Sequence, residues 1–429
     1  MPERVGSFEN EAGLRPFPSD SLFSDSWKMN HVAIFFPIIT WAGVALGQEA
    51  PEATDFPGDA RLLLPPAIHV LDGLEASLYF DNAFLLLNPA NVAINVTCGK
   101  GAQQNERWTR APAPGEAGDF PLTLELRDGA NTIVARASSV VKVRPRAYQG
   151  RPGATRSLLL IGDSLTAASL YPERLLELAK EDQMPLRLIG SRGPGVEEGN
   201  PPGEVRHEGY GGWTAERFAT HFTGKARGGP YKECGSPFLY LDHPEKPDET
   251  PKLDFARYLS DVGETRHPDF VTILLGCNDT FGASDETIEG QIDLFMGFTE
   301  MLLAMIRGTC PASHIGLILP MPPAGNQDAF GANYGSGQTR WQYRRNRHRL
   351  IERLTTNFSG REKERVHLVA AHLNLDPVNG FPSVTVPAHA RTSVTTTRQS
   401  NGVHPSAEGY RQIGDAVYAW MRSFDQTPP

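Results

Sequence analysis

A parallel β-sheet covered by helices on both faces, preceded by a small all-β sandwich, is the architecture this sequence predicts. Three observations carry that expectation. From Arg156 onward, short apolar runs recur at Ser157–Ile161, Leu186–Ile189, Phe270–Leu275, Ile315–Leu319 and Val366–Ala370, with helical stretches such as Pro172–Glu181 and Glu286–Arg307 between them. Residues 50–148 follow a period of two instead: Val92, Ile94 and Val96 alternate with polar or small residues, as do Leu122, Leu124 and Leu126. The join, residues 144–153 (RPRAYQGRPG), is rich in charge and in residues that break regular structure.

Each element has a local reason. In the β-rich part, Asp128-Gly129 offers a hairpin turn into the strand-forming TIVARASSVVKV, and several short strands suggest an immunoglobulin-like or jelly-roll sandwich. The last helix follows His404: Tyr410, Ile413, Val417, Trp420, Met421 and Phe424 share one apolar face, and Ser406 can cap its start. Segments 224–253 and 320–339, rich in Gly, Pro and aromatic residues, are too long for plain connections. Loops at the carboxyl ends of strands wall the ligand crevice of an open α/β sheet, so both are expected there.

At the N-terminus the uncharged run Val32–Leu46 follows Lys28 and ends near Ala45 and Gly47, a pattern suited to a signal peptide cleaved before Gln48. It is short for a membrane span and contains Pro37, so no stable span is expected; a buried apolar segment is the alternative. Met29 suits the start of such a signal, leaving residues 1–28 as an over-extended reading frame. The expected division is 1–47 as start plus signal peptide, 48–150 as the β-sandwich and 151–429 as the α/β domain, with the protein secreted or periplasmic. A net charge of -9 argues against nucleic acid as a partner. The cysteines 98, 234, 277 and 310 contain no C-x-x-C pair; a Cys234–Cys277 disulfide and free buried thiols both fit.

Four short motifs then stand at predicted element ends: Gly162-Asp163-Ser164-Leu165, Gly211-Gly212-Trp213-Thr214, Gly276-Cys277-Asn278-Asp279 and Val403-His404-Pro405. A serine needs a base to become a nucleophile, and attack on an ester creates an oxyanion that needs preorganised donors. Ser164 can supply the hydroxyl and His404 the base. The Ser164 and Gly212 N–H groups and the Asn278 side chain can supply the donors. Taken singly, each motif is equally an N-cap, a Gly-rich turn or an Asx-turn. No G-x-S-x-G elbow and no H-E-x-x-H motif is present, and Gly193-Pro194-Gly195 lacks the spacing of a dinucleotide loop.

With those residues in that order, residues 155–425 resemble the SGNH (GDSL-type) hydrolases, whose name lists the Ser, Gly, Asn and His of four sequence blocks. The resemblance implies a three-layer α/β/α, flavodoxin-like fold and ester hydrolysis without metal or organic cofactor. The stretches HEGYGGWT (207–214), LLGCND (274–279) and NGVHPSAEGYRQIGD (401–415) look most like secreted bacterial members acting on acetylated carbohydrate. The family usually has Asp three residues before the histidine, where this chain has Asn401. Three readings follow: Asn401 orients His404 through its side-chain oxygen, a backbone carbonyl does so in a dyad, or another acid such as Asp376 takes over.

The expected reaction is hydrolysis of O-acetyl esters on carbohydrate or polysaccharide, with Ser164, His404 and Asn401 as catalytic residues. A lipid or aryl esterase and a non-catalytic glycan-binding protein of the same fold are the alternatives. Tyr210, Trp213, Phe330, Tyr334 and Trp341 are candidate stacking surfaces for sugar rings, or else pack the loops together. The arginines 340, 344, 345, 347, 349 and 353 read as a solvated helix face.

Overall fold

A computed structural model describes residues 61–148, 155–246 and 249–424; the expected signal peptide lies outside them. The five core strands form where the apolar runs stand, at Leu186–Ile189, Arg156–Gly162, Phe270–Leu274, His314–Ile318 and Val366–Val369, and they pair in that spatial order, all parallel. Numbered along the chain this order is 2-1-3-4-5, that of a doubly wound flavodoxin-like sheet. The two-residue strand Glu208–Gly209 joins beside the upper end of Arg156–Gly162. Strands buried on both faces need no polar alternation, which is why Leu158, Leu159, Leu160 and Ile161 run consecutively and are all fully buried.

Helices cover both faces. Leu170–Glu181 and Ala407–Arg422 pack together on one side, where Leu175, Leu178, Ile413, Val417 and Trp420 join the core. The final helix begins as expected, with Ser406 Oγ accepting the Gly409 N–H at 3.4 Å. On the other face lie Phe255–Asp261, Ile288–Thr309 and Arg340–Phe358. The order reverses between Arg156–Gly162 and Phe270–Leu274, so the crevice for a ligand opens beyond the carboxyl ends of these two strands.

The N-terminal region forms a four-stranded sheet (Ala67–Leu71, Ile133–Arg144, Gly118–Arg127, Ala93–Cys98, in spatial order) and a three-stranded sheet (Ala76–Tyr79, Arg107–Arg110, Ala102–Gln103). Leu122, Leu124, Leu126 and Val141 of the first meet Leu78 and Trp108 of the second in one core. The Asp128 turn is longer than a two-residue hairpin: Asp128 Oδ1 accepts the N–H groups of both Ala130 and Thr132, and Asn131 takes the left-handed conformation.

Contacts gather the described residues into one compact unit. The reason is a short helix, Phe80–Ala83, wedged into the α/β part. Asn82 Nδ2 donates to the carbonyls of His372 and Leu375 at 2.9 and 2.8 Å, and Asn374 Oδ1 accepts the Ser77 N–H at 2.7 Å. Arg344, 2% exposed, donates to the carbonyls of Asp81 and Phe84 and pairs with the Asp81 carboxylate at 2.6 Å. The arginine-rich helix is therefore not simply a solvated face. Arg344 and Arg347 are buried, while Arg340, Arg345, Arg349 and Arg353 pair with Asp81, Asp285, Glu289 and Asp293.

Candidate active site

Ser164 follows the first core strand as the first residue of the short helix Ser164–Ala167. The turn requires Gly162, because a Cβ there would lie 2.9 Å from the Leu274 carbonyl and collide with the Thr166 side chain. Asp163 caps the helix, its Oδ1 accepting the Leu165 N–H at 2.9 Å. His404 arrives just before the final helix, and its Nε2 lies 2.8 Å from Ser164 Oγ. Both side chains are half-buried. Burial holds the His404 imidazole below its ordinary pKa, so the ring is neutral and able to accept a proton at neutral pH.

The donor groups converge on the same place. Gly212 adopts φ +73° with open space where a Cβ would point, and no described residue accepts its N–H or that of Ser164. Asn278 follows Gly276 at the end of the neighbouring strand, but its amide is already engaged. Nδ2 donates to Asp163 Oδ2 at 3.2 Å and to the Trp213 carbonyl at 3.0 Å. The expected third donor thus also braces the Ser164 and Gly212 segments in this structure. Asp279 braces them further, accepting the Ala215 N–H at 2.9 Å and the Gly276 N–H at 3.1 Å. Burial, with each carboxylate's surroundings, raises Asp163 to about 7 and Asp279 to about 6.

Asn401 departs from its expected role. Its Oδ1 accepts the N–H groups of Val403 at 3.0 Å and His404 at 2.9 Å, which uses both lone pairs of that oxygen and leaves none for the imidazole. Asp376 is also committed elsewhere: it accepts from the Val378 and Asn379 N–H groups, the Asn379 side chain and the Tyr79 hydroxyl. Among the described residues no carboxylate pairs with His404.

Of the proposed sugar-stacking aromatics, Tyr210, Trp213 and Phe330 are fully buried. Tyr210 stacks on Trp213 with centroids 4.2 Å apart and donates its hydroxyl to buried Glu208. Phe330 packs with Val403, Cys277 and Tyr343, and half-buried Tyr334 leans on Phe281 and Phe330. The three buried rings shape the loops from within and offer no face to a ligand. Tyr231, which lies in segment 224–253 and was not singled out from sequence, comes closer: its ring stands 2.9 Å from where a Cβ of Gly211 would be. His207 is structural, its Nδ1 accepting the Gly209 N–H and its Nε2 bonded to Ser169 Oγ. The four cysteines are free thiols. The described residues hold no cluster of three metal-ligating side chains.

A hydroxyl bonded to a neutral imidazole, beside two unengaged backbone N–H groups at the switch point of a doubly wound sheet, is an arrangement suited to acyl transfer. The chain belongs to the GDSL-like lipase/acylhydrolase family, whose model matches residues 158–417. Solved structures are similar in fold. A carbohydrate acetylesterase family member from Sinorhizobium meliloti is 18% identical, covering 63% of this chain and 98% of its own, with a TM-score of 0.32. The lipase/acylhydrolase from Enterococcus faecalis is 14% identical over 63% and 96%, also at 0.32. An acetyl xylan esterase, AlAXEase, is 13% identical over 62% and 98%, again at 0.32. A comparison with curated proteins gives no match.

Proposed function

We propose that this protein is an exported serine esterase that removes O-acetyl groups from carbohydrate. The observation that carries the reading is the 2.8 Å contact between Ser164 Oγ and His404 Nε2 beside the free N–H groups of Ser164 and Gly212. Ser164 Oγ attacks the ester carbonyl carbon while His404 Nε2 takes its proton. The tetrahedral oxyanion is held by the two backbone N–H groups, and Asn278 turns one N–H from the Trp213 carbonyl toward it. The C–O bond to the sugar breaks, His404 returns the proton to that oxygen, and acetyl-Ser164 remains. Water then attacks the acetyl carbon, giving its proton to His404; the bond from that carbon to Ser164 Oγ breaks, His404 passes the proton to Oγ, and acetate departs.

A small acyl group and a polar alcohol fit this site better than a long lipid chain. The aromatic residues of the flanking loops are spent on internal packing, and Gly212 leaves the donor side open to solvent. The motif stretches around residues 207–214, 274–279 and 401–415 support the same substrate class. Acetate release from a panel of acetylated polysaccharides tests the reading, with Ser164→Ala as control. Preference for acyl chains much longer than acetyl would replace it with a lipid esterase, and no turnover at all would leave a glycan-binding protein. Export predicts a secreted protein beginning at Gln48, read by N-terminal sequencing.

A further inference from the structure

Among the candidate stacking aromatics, Trp341 lines a groove. It stands at the start of the helix Arg340–Phe358 and, like Tyr334, is half-buried, where Tyr210, Trp213 and Phe330 are fully buried. The groove has room of about 350 Å³, within the range of small-molecule sites (roughly 300–1,000 Å³). The β-rich region supplies one side, with Leu87 exposed at 73%; Trp341, Asp285 and Glu289 belong to the α/β part.

The groove is walled by elements that also support the site. Asp285 lies in the loop that continues from Asn278, and Gln342, next to Trp341, donates to Asp285 Oδ1 at 3.4 Å. One turn further along that helix from Arg340, the Tyr343 hydroxyl lies 3.0 Å from the sulfur of Cys277, the residue before Asn278. Tyr343 stands about 200° around the helix from Trp341, so the groove occupies the outer face of that helix, and a polymer with one ester at Ser164 must pass the helix's first turn to reach it.

The chemistry of the wall selects its occupant. Arg345 pairs with Asp285 at 2.7 Å, Arg349 with Glu289, and Arg61 with Glu352 at 2.8 Å, so each charge is already balanced. A polyanion or polycation would have to break these pairs, and an acyl chain would meet charged groups along half its length. A neutral sugar suits the surface: its C–H face can lie on the indole and Leu87, while its hydroxyls donate to lone pairs of Asp285 and Glu289 and accept from the guanidinium N–H groups. We infer that this groove, built jointly by the β-rich region and the Arg340 helix, is a subsite for a neutral sugar residue of the polymer, remote from the acetylated one. The inference rests on the carbohydrate esterase reading given above.

The test compares acetylated xylan, or in its place the panel polymer that releases acetate fastest, with p-nitrophenyl acetate. Trp341→Ala should lower the ratio of kcat/KM on polymer to kcat/KM on p-nitrophenyl acetate about ten-fold, chiefly through KM, and Trp341→Tyr should recover much of it. In affinity gels containing the polymer, Ser164→Ala protein should be retarded and the Ser164→Ala/Trp341→Ala protein much less so. An unchanged ratio overturns the subsite. So does an equal fall on both substrates without rescue by tyrosine, which would make Trp341 a packing residue. Absence of acetate release from every polymer by the unaltered protein would instead remove the carbohydrate reading itself, a result independent of the Trp341 ratio.

Discussion

On the donor side of the site, Ser164, Gly212 and Asn278 are tied together by two carboxylates, buried Asp163 and half-buried Asp279, whose oxygens collect N–H groups from three segments. On the base side, His404 rests on a turn closed by the neutral amide of Asn401, and among the described residues no acid stands behind the ring. Rigidity has been placed where charge develops on oxygen, and the base has been left with geometry alone. Electrostatic support for an imidazolium is therefore the weaker half of this site.

The comparison can be broken most completely at its centre. Ser164→Ala and His404→Ala should each lower kcat on p-nitrophenyl acetate by at least about 10⁴-fold, because both sides act through this one pair. Activity within ten-fold of the unaltered protein for either variant would dissolve the site. On the donor side, Asn278→Ala should cost on the order of 10²–10³ in kcat, combining a lost oxyanion donor with a lost brace. Gly212→Ala meets no steric neighbour, so its cost is the left-handed backbone, about 1–2 kcal/mol of strain, read as roughly ten-fold in rate.

The base side can be sharpened by gain. In Asn401→Asp, one oxygen can keep the Val403 and His404 N–H groups while the other offers a negative charge to the ring, raising kcat about ten-fold. The sign in pH follows. The His404 pKa now lies below the ordinary imidazole value because of burial, so the acid limb of kcat/KM falls below about pH 6.5; the new carboxylate favours the imidazolium and moves that limb upward. An unchanged rate and profile would mean that the second oxygen does not reach the ring.

The smallest expected effect concerns stability. Burial holds His69, His207 and His348 near 3, and His314 and His367 near 4, so these rings stay neutral in the folded chain while the unfolded chain binds protons below about pH 6.5. Asp163 and Asp279 work in the opposite sense, since their raised values favour the folded state at low pH. Burial also raises the pKa of Glu208 and Asp415 and lowers that of His221, His372 and His404, so eight histidines outweigh four acids and Tm should climb as pH rises from about 4 to 6.5. A flat Tm over that window would contradict the neutral, buried histidines.

The parallel sheet was legible because strands buried on both faces announce themselves as unbroken apolar runs; Leu186–Ile189 forms over the same residues that the pattern marks. Ser164 and His404 were legible because each sits where an element starts. The sequence misled where a side chain's partner is remote or ambiguous. Tyr210 and Trp213 belong to a Gly-rich loop that reads alike whether its rings face solvent or core. Asn401 can turn its oxygen to the ring or to its own backbone, and the Asx geometry of the turn decides. Arg344 looks solvated until Asp81 and Phe84, far earlier in the chain, are brought against it. Asp163 and Asp279 were in plain view within their motifs, yet their bracing appears only when three segments meet.

The wedge formed by residues 80–83 also limits how the molecule can be cut. A fragment starting after residue 154 would keep every motif of the reaction, yet strand the Arg344 guanidinium without Asp81 and uncover Ala370 and Leu373, which now complete the core of the β-rich region. Removing one partner of a buried ion pair costs roughly 3–5 kcal/mol, a large share of what keeps any domain folded. Cutting the esterase half free would thus demand a rebuilt surface where residues 80–83 now sit.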